Sequence, residues 1–100
     1  MRKVTDSEKE MIQRILADYE RNGVINTEFY NTFGTDADSN KHLRGTFTSL
    51  KRKKIFRHCN DRGCFNPIYP TWKLVDVCRE YGIEITNGMI DAMRDYIEEY

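Results

Sequence analysis

The sequence of 100 residues has no long apolar run, few cysteines and no net charge. No stretch approaches the roughly 20 apolar residues that a membrane-spanning helix requires. The N-terminal residues from Met1 to Glu8 lack the apolar core of a secretory signal, so we expect a cytoplasmic protein that does not contact membranes. Three cysteines are too few, and odd in number, for a disulfide scaffold, which agrees with a reducing compartment.

The length accommodates one modest core and leaves no room for a separate catalytic domain. With 39% apolar and 32% charged residues, the composition is typical of a globular protein. There is no internal repeat, no linker, no glycine-rich phosphate loop and no hydrolase motif. We therefore expect a single domain over residues 1–100, which is not an enzyme, has no catalytic residues and needs no cofactor.

The net charge of zero conceals an uneven distribution. Residues 40–62 hold eight Lys and Arg against one Asp, a local charge of +7, whereas residues 1–39 and 63–100 carry −3 and −4. A basic segment between two acidic arms attracts phosphate while the acidic parts orient docking. The segment therefore indicates an anionic partner, and the alternative is a solvated run of charge without one.

Helix signals divide the first half of the chain into three helices. Thr5 and Glu8 have capping-box spacing and Asn22-Gly23 provides a stop, which predicts a first helix over about residues 6–21. A second helix is expected at 27–33, with its apolar side formed by Phe29, Tyr30 and Phe33. Asp38 or Ser39 can cap a third helix, which runs to about Lys54.

The third helix is amphipathic. Leu43, Phe47 and Leu50 form its predicted buried stripe. The other side is polar and basic at its ends, and it comprises Lys41, Gly45, Thr48, Ser49 and Arg52, flanked by His42, Arg44 and Lys51. Glycine in a helix interior is unfavourable by up to about 1 kcal/mol relative to alanine. Gly45 either permits close approach of another surface or is a tolerated surface glycine.

After the third helix the pattern predicts a β-hairpin and two further helices. An extended run from Ile55 to His58 turns at residues 60–63, a four-residue loop, and returns through Cys64, Phe65 and Ile68. Pro70 and Thr71 can start a helix that buries its apolar side and ends at Gly82, with Leu74, Val75, Cys78 and Tyr81 inward. We expect Trp72 to pack in the core, the alternative being an exposed stacking platform with Tyr69 and Phe65.

Thr86 or Asn87 caps a last helix with a wide apolar stripe, formed by Met89, Ile90, Met93, Tyr96, Ile97 and Tyr100. This stripe either packs on the first helix to complete the core or pairs with a second copy of the protein, and both can hold. Asp91, Asp95, Glu98 and Glu99 are most simply a solvated face.

The order helix, short strand, helix, turn, helix, hairpin resembles the winged helix-turn-helix superfamily over residues 5–70. The stretch from Leu43 to Phe56 is similar to the recognition helix and first wing strand of MarR-like transcriptional regulators of bacteria, archaea and their viruses. The resemblance implies a mainly α fold with a small β-hairpin, in which residues 71–100 add C-terminal helices that can dimerise. It implies a supporting helix at 27–33, a recognition helix at 39–53 and a wing tip at 59–64.

The resemblance further implies a small transcriptional regulator that binds double-stranded DNA as a homodimer. Its recognition helix would enter the major groove, and the wing would touch the backbone. Side chains able to bond base edges or nearby phosphates are Lys41, His42, Thr48, Ser49 and Arg52, with Arg44 and Gly45 between them. Those placed to neutralise phosphates are Lys51, Lys53, Lys54 and Arg57, with Arg62 at the wing tip. The alternative is a winged-helix adaptor that binds a protein.

A metal or nucleophile site at the hairpin is a weaker hypothesis. His58, Cys59 and Cys64 are close in sequence, but a zinc site usually needs four ligands, and Cys78 would have to come from another element. Adjacent residues of a strand point to opposite faces, which disfavours a Cys/His dyad. We expect no metal, and interpret these residues as ordinary wing residues or as a cross-strand thiol pair, which an oxidised Cys59–Cys64 link would join.

Overall fold

The computed structural model describes residues 3–24, 41–58 and 68–97. Within these ranges the chain forms helices α1 (Asp6–Asn22), α2 (Lys41–Arg52), α3 (Trp72–Tyr81) and α4 (Asn87–Met93) and strands β1 (Phe56–His58) and β2 (Ile68–Pro70). The described chain is therefore mainly α with a small antiparallel sheet, as the sequence predicts. The predicted helix at 27–33, its neighbouring cap at Asp38 or Ser39, the hairpin turn with Cys59, Arg62 and Cys64, and Tyr100 lie outside the described residues.

Helix α1 begins at the predicted capping box. The Thr5 hydroxyl accepts a hydrogen bond from the Glu8 amide at 3.2 Å, and the Glu8 carboxylate accepts one from the Thr5 amide at 2.9 Å. The helix ends before Gly23, whose φ of 79° is readily available only to glycine. Its apolar face is fully buried and comprises Met11, Ile12, Ile15, Leu16 and Tyr19. The prediction for this helix is confirmed.

Helix α2 packs its predicted apolar stripe against the core. Phe47 and Leu50 are buried, and Leu43 is half-buried against the same cluster. The Phe47 ring lies 6.2 Å from the ring of Phe56 in β1, so the helix and the strand that follows it share one packing layer. Helix α2 also packs on α1. The buried side of α2 thus fixes which of its residues face outward.

The sheet has a different register from the one predicted. His58 pairs with Ile68 and Phe56 with Pro70, whereas a four-residue turn at 60–63 would place Phe65 opposite His58. Two long-range contacts explain the difference: the buried Tyr19 hydroxyl donates to the Ile68 carbonyl at 2.7 Å, and the Thr71 amide donates to the Ile55 carbonyl at 3.2 Å. Pro70, expected at a helix start, therefore belongs to β2.

Helix α3 follows the predicted pattern with one exception. Leu74, Val75 and Cys78 are buried as expected, Val77 joins them, and Gly82 ends the helix in the left-handed conformation. Trp72, however, is 50% exposed and is the one exposed large apolar side chain within the described ranges. At 100° per residue it lies about 160° from Leu74, on the side away from the core. The expectation that Trp72 fills the core is wrong.

Helix α4 packs on α1 and is shorter than its apolar stripe. Thr86 caps it, Met93 is fully buried, and Met89 and Ile90 are half-buried against the core. The remaining described stripe residues, Tyr96 and Ile97, come after the helix has ended, and Tyr96 stacks on Tyr69 of β2 with ring centroids 5.8 Å apart. The predicted core-packing role is confirmed. Among the described residues, no helix has the length and apolar character to cross a bilayer.

Candidate nucleic-acid interface

The basic segment spans three consecutive elements of the described structure. Residues 41–58, which span α2, the turn after it and β1, hold seven Lys and Arg and no Asp or Glu. Arg44, Thr48 and Arg52 are exposed on α2, and half-buried Lys51 lies beside them. At 100° per residue these four residues occupy an arc of about 100°. We call Arg44, Thr48, Lys51 and Arg52 the basic face.

The side chain of Lys51 is held at one edge of the basic face. Its Nζ atom lies 5.4 Å from the centroid of the Phe47 ring, which belongs to the buried stripe. A cation over an aromatic face is attracted by the ring quadrupole. The ammonium group thus lies at the boundary between the buried stripe of α2 and the basic face.

Two predicted DNA-binding residues bond within the fold instead. The Lys53 Nζ atom lies 2.6 Å from Glu8 Oε1 and donates to the Lys3 carbonyl at 2.9 Å. The Ser49 hydroxyl donates to Glu8 Oε2 at 3.1 Å. Because these bonds turn Ser49 and Lys53 towards α1, we leave both out of the candidate interface.

Glu8 is a buried charge that joins the start of α1 to α2. Burial alone would raise the pKa of the Glu8 carboxyl, because it disfavours the charged form. The hydrogen bonds from Lys53, Thr5 and Ser49 outweigh burial and hold the pKa below its ordinary value of 4.5. Glu8 therefore stays ionised at neutral pH and fixes the orientation of α2 from one side.

A groove of about 420 Å³ runs between the start of α1 and α2 and is lined by Thr5, Ser7, Glu8, His42, Gly45, Thr46 and Ser49. Gly45 is exposed on one wall, and a Cβ atom added there would meet no other atom within 4 Å. Packing within the described fold therefore does not require glycine at this position. His42 is exposed beside it, and the Thr46 hydroxyl donates to the His42 carbonyl at 3.0 Å.

The remaining predicted cations lie after α2. Lys54 is exposed in the turn, where its φ of 63° is unusual for a residue with a side chain. Arg57 is half-buried in β1, with its guanidinium carbon 4.5 Å from the centroid of the Tyr69 ring. Lys41 is the first residue of α2, and Arg62 lies outside the described residues.

Cys78 is the residue that a metal site at the hairpin would need from another element. It is buried in α3 among core side chains, and burial raises the pKa of its thiol to about 11. The thiol therefore stays protonated at neutral pH, and is neither a nucleophile nor a ready ligand. In the part of the chain that the structure describes, no three His, Cys, Asp or Glu residues are grouped to hold a metal ion.

Two features of this surface were not predicted from the sequence. The first is Glu8, whose partners Ser49 on α2 and Lys53 just after it lie more than 40 positions away along the chain. No local pattern reveals such a contact. The second is the exposure of Trp72, which was expected only as the alternative to core packing, although helical periodicity reveals it, since Leu74 and Cys78 define the opposite side of α3.

Comparisons with protein families, with curated proteins and with solved structures found no match to this chain.

Proposed function

We propose that this protein is a small winged-helix transcriptional regulator that binds duplex DNA through the basic face of α2. The observation that carries the proposal is the separation of charge. Residues 41–58 have seven basic and no acidic side chains, and Arg44 and Arg52 are exposed on one side of α2. A surface of this kind gains affinity for DNA by releasing counterions from phosphates.

The dimensions of α2 and its surroundings support major-groove binding. Its 12 residues span about 18 Å, and an α-helix fits the major groove of B-DNA. The core stripe and the bonds to Glu8 hold two sides of the helix, which leaves the basic face outward. On this proposal, Thr48 and Arg52 contact base edges, whereas Arg44, Lys51 and Lys54 contact phosphates.

The elements after α2 support the winged form of the fold. Strands β1 and β2 follow the helix directly and pair in antiparallel orientation, with residues 59–67 connecting them. In the proposed complex this connection is the wing and its Arg62 reaches the DNA backbone. Arg57 lies at the base of the wing and adds a positive charge there.

Salt titration tests the proposal. Four cationic contacts to phosphates, those of Arg44, Lys51, Lys54 and Arg62, predict that log Kobs for duplex DNA falls with log salt at a slope of about −3.5. Replacing two of them in Arg44→Ala/Lys51→Ala should weaken binding and reduce the slope by about 2. Fluorescence anisotropy of a labelled duplex measures both quantities. Absence of duplex binding at low salt would refute the proposal.

We further propose that the regulator is a homodimer that uses the outer side of the C-terminal apolar stripe. Ile90 and Ile97 are only half-buried after α4 has packed on α1, so part of their surface remains for a second copy. Sedimentation equilibrium should give twice the chain mass, and Ile90→Asp should shift it towards the monomer mass. A monomer mass at all concentrations of the unaltered chain would contradict the proposed homodimer.

A further inference from the structure

Trp72, whose indole is exposed, directly follows a residue that is bonded to the basic segment. Thr71, the residue before it, donates its hydroxyl to the carbonyls of Lys54, at 2.5 Å, and Ile55, at 3.0 Å. These bonds hold Thr71, the residue before α3, beside the turn that follows α2. Thr71 therefore links the backbone of Trp72 to that of Lys54.

Trp72 is the one large apolar side chain that is exposed within the described ranges, at 50%, whereas Leu74 and Val75 after it in α3 are buried. Tryptophan presents a flat face on which a nucleobase can stack, and this contact tolerates any base because every base has a π-face. The neighbouring charge selects the kind of ligand, since residues 41–58 contain no acidic side chain to repel a phosphate.

We propose that Trp72 and Lys54 form a second nucleic-acid contact, in which one unpaired base stacks on the indole and the adjacent phosphate meets Lys54. This contact goes beyond the duplex binding proposed above, because the bases of an intact duplex are stacked on one another. It adjoins the basic face, so a duplex with a frayed or single-stranded end can occupy both.

The exposed carboxylate of Asp76 on α3 disfavours a phosphate on one side of the indole. Asp76 is exposed one turn after Trp72, about 40° from it around the helix. Its carboxylate repels phosphate, so the phosphate next to the stacked base lies on the Lys54 side of the indole. Asp76→Asn should therefore tighten binding of a single strand.

Tryptophan fluorescence tests this contact directly, because Trp72 is the one tryptophan of the sequence. The probe is an oligothymidylate of about eight nucleotides, compared with a blunt duplex and with the same duplex carrying a thymidine overhang. Stacking should quench the emission with the oligothymidylate and with the overhang, and should leave it nearly unchanged with the blunt duplex. Binding of the oligothymidylate without quenching would overturn the proposal.

Variants separate this site from the duplex site. Trp72→Ala should weaken oligothymidylate binding about tenfold, and Trp72→Phe less, while blunt-duplex affinity stays unchanged. Equal oligothymidylate affinity of Trp72→Ala and the unaltered protein would also overturn the proposal. Quenching by the oligothymidylate without any duplex binding would refute the duplex function and support this contact.

A second copy of the chain is the competing occupant of the indole. It would shift the emission of Trp72 to shorter wavelength as protein concentration rises in the absence of DNA. That shift, if accompanied by a rise in sedimentation mass that Trp72→Ala abolishes, would overturn the proposal. An emission maximum that is independent of protein concentration is the expected result.

Discussion

The ammonium group of Lys53 lies 2.6 Å from the buried carboxylate of Glu8 and joins the end of α2 to the start of α1. Both side chains are largely buried, so the pair is screened far less than a surface ion pair. The carboxylate is also bonded to Thr5 and Ser49, which satisfies it on both oxygens. The contact positions α2 on the core, and with it the basic face.

Removing the cation should destabilise the fold strongly. Lys53→Met keeps the aliphatic stem but leaves the Glu8 charge buried without its counterion, which costs about 3 kcal/mol of unfolding free energy. Urea denaturation measures the change. Lys73→Met, on α3 and without a buried carboxylate partner among the ion pairs of the described residues, is the control and should change the unfolding free energy by less than about 0.5 kcal/mol. Equal effects of the two substitutions would show that the buried pair is not a structural contact.

The acid sensitivity of the fold should depend on Glu8. The pKa of the Glu8 carboxyl is lower in the folded state than its ordinary value of 4.5, so the contribution of Glu8 to the free energy of unfolding is fully present above pH 4.5. This contribution is lost as the pH falls below 4.5 and through the folded-state pKa. Glu8→Gln should therefore lose less stability than the unaltered protein between neutral pH and about pH 3. Glu10→Gln, exposed on the same helix, is the control and should follow the unaltered profile.

Much of the fold could be predicted because its signals are local. The capping box of Thr5 and Glu8 and the stripe of Phe47 and Leu50 depend on spacing within one element, and both were confirmed. The sheet register could not be predicted, because contacts from Tyr19 and Thr71 fix it from outside the strands.

The residues of the candidate site likewise fall into those whose exposure the local sequence predicts and those whose contacts it does not. The exposure of Arg44, Thr48 and Arg52 follows from helical periodicity and was correctly placed on the side away from the core. Ser49 and Lys53 bond to Glu8 because α1 packs across α2. The residues next to them in the sequence do not predict these bonds. A charge count therefore overstates the surface that is open to a partner.

Gly45 provides a test of close approach. A Cβ at this position meets open space, so Gly45→Ala should raise the unfolding free energy by up to about 1 kcal/mol through helix propensity. If DNA approaches the backbone here, the same substitution should weaken duplex binding. Thermal unfolding and duplex affinity are measured on the same sample. Higher stability with unchanged affinity would show that Gly45 is only a tolerated surface glycine.

Replacing Lys54 with glycine should stabilise the fold and weaken DNA binding at the same time. Its φ of 63° is unfavourable for any residue with a Cβ, so Lys54→Gly should stabilise the fold by about 1 kcal/mol. The substitution also removes a charge, so the salt slope of duplex binding should fall by about 1. Lys54→Ala serves as the control, since it loses the charge and retains the unfavourable backbone. A more stable Lys54→Gly variant with full DNA affinity would exclude Lys54 from the interface.

The central claim is that the position of the positive charge, and not its amount, determines DNA binding. The most direct measurement compares the duplex affinity of Arg44→Ala/Arg52→Ala, on the basic face, with that of Arg21→Ala/Arg79→Ala, two exposed arginines on α1 and α3. Both double variants lose the same charge. We predict a loss of affinity of at least about tenfold for the first pair and little change for the second. Equal losses for the two pairs would contradict the account.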